Sequence, residues 1–265
     1  MTEMSGIIVS REDRVLVVTL NRAPANAFDD VTSRELAQVM LSYQEDPDLR
    51  CAILTASGEK FFSGGMDLKW GADGNLRLAS HGYGPGGLGG ISELWSLTKP
   101  VIAALNGMAV GAGFEIAMAC DLVVAADHVK FWLPEVQRGF IADAGGVIRL
   151  PRLLPYQLAM EMLLTCRWMT AQELQPFGIV NAVVPASELM DKAREYAAKI
   201  TEAAPLAVQA TKATWHQTAH LSVRGAFDEV QSGKIREHRA MMDSPDYEEG
   251  SRAFADKRKP VWYGK

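Results

Sequence analysis

The segment Pro100 to Ala126 is apolar enough to be core, yet it carries a glutamate, Glu115, directly behind the small-residue turn Gly111-Ala112-Gly113. A second glutamate, Glu135, follows the aromatic and apolar residues 131–134. An ionised carboxylate in such surroundings is costly unless it has a hydrogen-bond partner or a chemical role. The two residues therefore predict an acid/base pair set within a packed core.

The same apolar segment is long enough to raise the question of a membrane span. Asn106, Glu115 and Asp121 divide it, and one central acid costs about 2.5–3.5 kcal/mol on insertion into a bilayer. We therefore expect a core segment and no membrane partner. The first strand-like run is interrupted by the charged residues 11–14, which resemble the turn of a hairpin between paired strands and not the apolar region of a secretory signal, so a cytoplasmic protein is expected.

Length and charge limit the possible classes of protein. With 265 residues, 48% of them hydrophobic, the chain can form one large domain, or a core domain with an appendage. The net charge is −5 and the longest run of basic residues is 257–259. Nucleic-acid binding requires clustered positive charge, so no nucleic-acid partner is expected.

Cysteines and histidines show no metal-binding pattern. The three cysteines lie far apart in hydrophobic segments, without a CxxC spacing, and are expected to be reduced thiols: Cys51, Cys120 and Cys166. Two histidines share a helix face but lack a third ligand, His216 and His220, and the others, such as His81, stand outside the motifs. The turn 111–113 lacks the third glycine of a dinucleotide fingerprint. No metal and no permanently bound cofactor is expected.

Short apolar runs alternate with helical patterns in the first half of the chain, which predicts an α/β fold. The predicted strands are 7–9, 15–20, 51–55, 101–105 and 122–126, with a helix near 31–43. From Pro155 onward helices dominate, with one strand at 179–184 and helices at 187–202, 206–218 and 223–242. We expect a core domain at 1–200 and a C-terminal helical region at 201–265, which packs on the core or on another subunit.

Two glycine-bearing turns pass from an extended segment into a helix. One is Ser63-Gly64-Gly65-Met66-Asp67, and the other leads from Asn106 through Gly111 and Gly113 to Glu115. Backbone N–H groups at the start of a helix lack partners and carry the positive end of the helix dipole. Two such turns side by side would hold an anionic oxygen between them, as an oxyanion hole does.

Four motifs in order resemble the crotonase (enoyl-CoA hydratase/isomerase) superfamily: FFSGGMDLK at 61–69, KPVIAALNGMAVGAGFEIAMACDLVVAAD at 99–127, FWLPEVQRG at 131–139 and AGGVIRLPR at 144–152. The resemblance extends from residue 20 to residue 265. Within the superfamily the chain is most similar to the carnitinyl-CoA dehydratase branch, through GPGGLGG at 84–90, ADAGGVIRLPR at 142–152 and the C-terminal KRKPVWYGK.

This resemblance implies a spiral of ββα units with a C-terminal helical trimerisation region, assembled as a homotrimer or a dimer of trimers. It also implies an acyl-CoA substrate, with coenzyme A as part of the thioester. By position, the backbone N–H groups of Met66 and Ala112 would bind the thioester oxygen. Glu115 would activate the water that adds to Cβ, and Glu135 would exchange the proton at Cα. The family usually has alanine at position 64 and glycine at position 112.

The resemblance also assigns expected contacts around these groups. Expected substrate contacts are Gly65, Asp67, Gly111, Gly113, Asp143, Trp70 and Trp132, and expected coenzyme A contacts are Arg22, Ala25 and Lys257. Trp70 and Trp132 are candidates for a cage around a trimethylammonium group, although core packing is the favoured interpretation of each ring. Asp143 is either a third carboxylate facing the acyl group or a helix N-cap, and Asp67 is a helix cap or part of the coenzyme A turn.

Retention of both glutamates favours addition or removal of water at a short enoyl-CoA, since family isomerases generally manage with one acid/base group. An isomerase and a non-catalytic binding protein of the same fold stay open as alternatives. The sequence does not specify the acyl group of the substrate. The acyl pocket is expected to include the loop 71–90, and the spacing of residues in this loop does not indicate which acyl group it would bind.

Overall fold

The computed structural model describes residues 2–3, 6–73, 75 and 82–265. His81 and part of the loop expected to shape the acyl pocket lie outside these residues. The strands in chain order are β1 Thr2–Glu3, β2 Ile7–Glu12, β3 Val15–Leu20, β4 Cys51–Ala56, β5 Phe61–Ser63, β6 Val101–Leu105, β7 Met108–Val110, β8 Leu122–Ala126, β9 Lys130–Trp132, β10 Met169–Thr170 and β11 Ala182–Val184.

The larger sheet of the described residues has the order β1-β2-β3-β4-β6-β8-β11. The pair β2 and β3 forms the expected antiparallel hairpin, with Asp13 in the left-handed region at its turn (φ 50°). From β3 to β11 neighbouring strands are parallel. These strands are near-continuous apolar runs because helices and loops cover both faces of a parallel sheet.

A second sheet, β10-β9-β7-β5, was not predicted as such from the sequence. Its strands are only two or three residues long, so they contain no period from which a strand is recognised. In this sheet β5, β7 and β9 are parallel neighbours, which places the two glycine-bearing turns beside each other.

The helices are Asp30–Glu45, Leu68–Ala72, Ala112–Ala119, Gly146–Leu153, Tyr156–Thr165, Ala171–Leu174, Leu189–Thr201, Pro205–Thr218, Val223–Gln231, Arg236–Met242 and Asp246–Ala255. The prediction of one helix over 223–242 is wrong. The segment forms two helices because Gly233 adopts φ +67°, a left-handed conformation that ends an α-helix.

Two apolar layers cover the larger sheet. On one face, Leu189, Ala193 and Ala197 repeat every four residues along their helix and pack on alternate residues of β4, Cys51 and Ile53. The other residues of β4, including Ala52 and Leu54, face the main core. This alternation follows from the two-residue period of a strand, and it leaves the sheet buried on both sides.

The C-terminal helices carry apolar side chains that the chain itself does not cover. Val223 is 77% exposed and Phe254 is 88% exposed. The separation into residues 1–200 and 201–265 stays a prediction. Among the described residues, the helices are too short or too polar to cross a lipid bilayer.

Candidate active site

A cavity of about 490 Å³ lies where the two glycine-bearing turns meet the segment after β9. Its wall includes six of the site residues expected from the sequence: Met66, Gly111, Ala112, Glu115, Glu135 and Asp143. These residues belong to four separate segments of the chain and lie close together only in the folded structure. The cavity is therefore the candidate active site.

The first turn is fixed by close backbone contacts. Gly65 has φ +86°, and a β-carbon there would lie 2.6 Å from the carbonyl oxygen of Val110, so glycine is required. The Gly65 carbonyl accepts a hydrogen bond from Phe28 N–H at 2.8 Å, and Asp67 N–H donates to the Phe28 carbonyl at 2.8 Å. Between these bonds, the Met66 N–H has no acceptor among the described residues.

The second turn begins the helix Ala112–Ala119. Gly111 precedes it with φ +53°, and its N–H donates to the Trp132 carbonyl at 2.8 Å. Ala112 is the first helical residue, so its N–H has no acceptor within the helix. Since this position is helical, alanine is unstrained where the family usually has glycine. A β-carbon at Gly113 would lie 2.5 Å from the Ser63 carbonyl oxygen, so this glycine lets the helix approach β5.

Glu115 is only 2% exposed and lies on the first turn of that helix. Its Oε1 accepts a hydrogen bond from Gly146 N–H at 2.8 Å. Burial raises the pKa of Glu115 to about 8, the negative charges of Glu135 and Asp143 raise it as well, and the Gly146 hydrogen bond and Arg149 oppose them. The group therefore exchanges a proton near neutral pH.

Glu135 begins a short 3-10 helix, Glu135–Arg138. A β-carbon at Gly111 would lie 2.7 Å from Glu135 Oε1, so the absence of a side chain there makes room for the carboxyl group. Its Oε2 is buried and has no hydrogen-bond partner among the residues that the structure describes. Burial also raises the pKa of Glu135, while the neighbouring Arg138 lowers it. An unsatisfied buried oxygen on a cavity wall is expected where a substrate supplies the missing contact.

Asp143 is exposed on the cavity wall. The alternative that it caps a helix is wrong, because Gly145 is the N-cap of Gly146–Leu153 and no side chain caps that end. Asp67, in contrast, does cap its helix: it accepts from Lys69 N–H at 3.0 Å and Trp70 N–H at 3.3 Å.

The expected coenzyme A contacts lie off the cavity wall. Arg22 bridges Asp29 at 2.9 Å and Asp67 at 2.8 Å, which holds the loop before the first helix to the first turn. The carbonyl of Ala25 accepts from Gly64 N–H at 2.7 Å, so Ala25 supports the same turn. Lys257 is exposed near the C-terminus.

The two tryptophans proposed as a cage also lie off the cavity wall. The Trp70 ring packs on Tyr83, with centroids 5.7 Å apart. The Trp132 indole N–H donates to the Cys166 carbonyl at 2.8 Å, and the Arg138 guanidinium lies 5.6 Å from its ring. Each tryptophan therefore has a packing role in this structure.

Three polar wall residues were missed by sequence reasoning: Tyr83, Glu93 and Arg138. The Tyr83 hydroxyl lies 3.5 Å from the sulfur of Met66 and so reaches the first turn. Arg138 follows Glu135 by one helical turn, a spacing that indicates a shared face. Tyr83 and Glu93 flank a glycine-rich loop and carry no such signal.

Comparison with known proteins finds relatives along nearly the whole chain. The sequence model of the enoyl-CoA hydratase/isomerase family matches residues 10–265. Carnitinyl-CoA dehydratase of Escherichia coli (strain K12) is 46% identical over 257 residues, covering 97% of this chain and 98% of that protein. The protein of the same name from Citrobacter koseri is 46% identical over 256 residues, covering 97% of each chain. The crystal structure of enoyl-CoA hydratase from Mycobacterium tuberculosis H37Rv superposes with a TM-score of 0.88 at 39% identity, covering 99% of this chain and 100% of that one.

Proposed function

The chain belongs to the enoyl-CoA hydratase/isomerase family, and on that premise we propose that it is a hydro-lyase that adds water to, or removes water from, the 2,3 bond of an enoyl-CoA thioester. The observation that carries the proposal is the pair Glu115 and Glu135 on the wall of one cavity, beside Met66 and Ala112. An isomerase of this fold would generally need one acid/base group, and a binding protein would need neither.

The backbone amides supply the electrostatic part of the mechanism. The thioester carbonyl oxygen would accept hydrogen bonds from the N–H groups of Met66 and Ala112. These bonds stabilise the negative charge that develops on the oxygen as an enolate-like state forms. Neither bond uses a side chain, so the methionine and the alanine contribute through backbone position alone.

The glutamates supply the proton transfers. In hydration, Glu115 takes a proton from the water whose oxygen bonds to Cβ, and Glu135 gives a proton to Cα. Dehydration reverses both steps: Glu135 removes the Cα proton and Glu115 protonates the departing hydroxyl group. The pair holds one proton throughout, on opposite members before and after each turnover.

For the acyl group we propose the crotonobetainyl/carnitinyl pair, which carries a quaternary ammonium on Cγ. Support comes from the 46% identity to proteins named carnitinyl-CoA dehydratase. The test is turnover of crotonobetainyl-CoA, crotonyl-CoA and longer enoyl-CoAs, followed by loss of the enoyl thioester absorbance. We expect the highest kcat/KM with crotonobetainyl-CoA; equal or better turnover of long chains would contradict this acyl assignment, and no hydration of any of them would contradict the hydro-lyase.

The pH dependence follows from the shared proton. Burial raises the pKa of Glu115 to about 8 and also raises the pKa of Glu135. Both directions require one proton on the pair, so we expect a bell-shaped kcat/KM whose basic limb falls with an apparent pKa near 8. The measurement is kcat/KM for crotonyl-CoA from about pH 5 to about pH 10. A profile still rising at the alkaline end would show that the pair does not titrate in this way.

We further propose a homotrimer or dimer of trimers in the cytoplasm. The exposed apolar side chains of the C-terminal helices, such as Val223 and Phe254, support burial against another copy. The three cysteines are unpaired, as is usual in a reducing compartment. Lys257 would then approach the coenzyme A bound by a neighbouring subunit.

A further inference from the structure

The proposed reaction does not use two carboxylates on the cavity wall. Asp143 and Glu93 both line the cavity beside the proton-transferring pair. Their side chains are exposed, and neither makes a hydrogen bond or ion pair with any residue that the structure describes. An unpaired carboxylate on a binding cavity is free to interact with a positively charged ligand.

Two arginines near the cavity, Arg138 and Arg149, make contacts with groups other than Asp143. Arg138, which also lines the cavity, stacks on the Trp132 ring and donates to the Pro134 carbonyl at 3.2 Å. Arg149 donates to the Ser92 carbonyl at 2.6 Å and acts electrostatically on Glu115 and Glu93 from outside the cavity wall. Within the described part of the chain, neither arginine forms an ion pair with Asp143. The cavity wall carries four carboxyl groups, on Glu93, Glu115, Glu135 and Asp143, against the single guanidinium of Arg138.

Apolar groups lie on the same wall. Tyr83, Leu88 and Ile141 join Asp143 around the cavity. Burial raises the pKa of the Tyr83 phenol, and the negative charge of Asp143 raises it further. A quaternary ammonium has no hydrogen to donate, so it is bound by apolar contact, by aromatic faces and by negative charge at short range. This part of the wall offers all three.

We propose that Asp143 determines specificity for the acyl group: its carboxylate, with Glu93 in support, selects substrates that carry a positive charge beyond Cβ. This inference rests on the proposed function and refines it. It replaces the tryptophan cage suggested by sequence, because neither tryptophan reaches the cavity. A partly exposed charge pair in such a position is worth about a two- to fivefold preference.

The test compares two thioesters of the same shape. In 5,5-dimethylhex-2-enoyl-CoA a tert-butyl group replaces the trimethylammonium group of crotonobetainyl-CoA, which removes the charge alone. The readout is the ratio of kcat/KM for the charged substrate to kcat/KM for the neutral one. We expect Asp143→Asn to lower this ratio about two- to fivefold, Glu93→Gln to lower it less, and added salt to lower it in the wild type.

The matched control is Asp191→Asn, which removes an exposed carboxylate outside the cavity wall. We expect it to leave the ratio unchanged. The inference would be overturned if the ratio in Asp143→Asn equalled that of the wild type, even if kcat/KM fell equally for both substrates. It would also be overturned if the ratio fell as much in Asp191→Asn as in Asp143→Asn. If the wild type hydrates the neutral thioester but Asp143→Asn does not change the ratio, the proposed hydro-lyase activity is retained and the inference about Asp143 is wrong. If the wild type hydrates neither thioester, the proposed function itself fails.

Discussion

Replacing Glu135 with glutamine will lower kcat for hydration of crotonyl-CoA by about 10²- to 10⁴-fold, and Glu115→Gln will do the same. Glutamine keeps the size of the side chain but can neither take up nor release a proton at these pH values. In the proposed mechanism the substrate is held by the amides of Met66 and Ala112 and by the rest of the cavity, so KM should change little. The measurement is steady-state hydration of crotonyl-CoA by each purified variant.

The two variants should also fail in different ways. Exchange of the Cα hydrogen of butanoyl-CoA with D₂O needs no water addition, so we expect it to be lost in Glu135→Gln and kept in Glu115→Gln. The double variant should have a kcat only slightly lower than that of either single variant, because the two glutamates act as a unit. Glu161→Gln, which removes a surface glutamate paired with Arg167, is the control and should match the wild type. Wild-type hydration by either active-site variant would contradict the assigned roles.

Gly65→Ala will lower kcat by about 10²- to 10³-fold by displacing the first oxyanion amide. The new β-carbon would lie 2.6 Å from the Val110 carbonyl oxygen and 3.1 Å from the Ala112 nitrogen, in a backbone with φ +86°. The contact atoms are backbone, so the turn itself must move, and the two N–H groups proposed to bind the thioester oxygen move with it. The measurement is kcat for crotonyl-CoA together with the far-ultraviolet circular dichroism of the folded variant.

Gly64→Ala provides the matched control one residue earlier. There the backbone is outside the left-handed region, and the β-carbon would meet the Ala25 side chain at 3.1 Å, a contact that a small shift relieves. The family usually has alanine at this position, so we expect kcat within about threefold of wild type. Equal losses in both variants would show that general packing, and not the position of the amide, explains the effect.

The sequence predicted the central arrangement because its signals are local and chemical. Glu115 and Glu135 stand out as acids among apolar residues, and Gly65 and Gly111 as turn glycines before helices. The structure places Glu115, Glu135 and Gly111 on the wall of one cavity, and Gly65 packs against the backbone of Ala112 on that wall. The hairpin and the strands of the larger sheet were likewise recognisable as compact apolar runs.

What the sequence could not predict depends on distant parts of the chain. The strands β5, β7, β9 and β10 are too short to show a period, although they bring the two turns together. Trp132 resembled a ligand-binding residue beside Glu135, but its indole is held by Cys166, and that pairing is visible only after folding. Glu93 lies on the cavity wall, although no motif or spacing around it in the sequence indicates this position.

The central claim is that two backbone amides hold the thioester oxygen while two glutamates face Cα and Cβ. A crystal structure of the Glu135→Gln variant with 3-hydroxybutanoyl-CoA tests it most directly. We expect the thioester oxygen within hydrogen-bond distance, about 2.7–3.2 Å, of both Met66 N and Ala112 N, with the 3-hydroxyl group beside the Glu115 carboxylate. A thioester oxygen bound away from these two amides, or a hydroxyl group turned away from Glu115, would contradict the account.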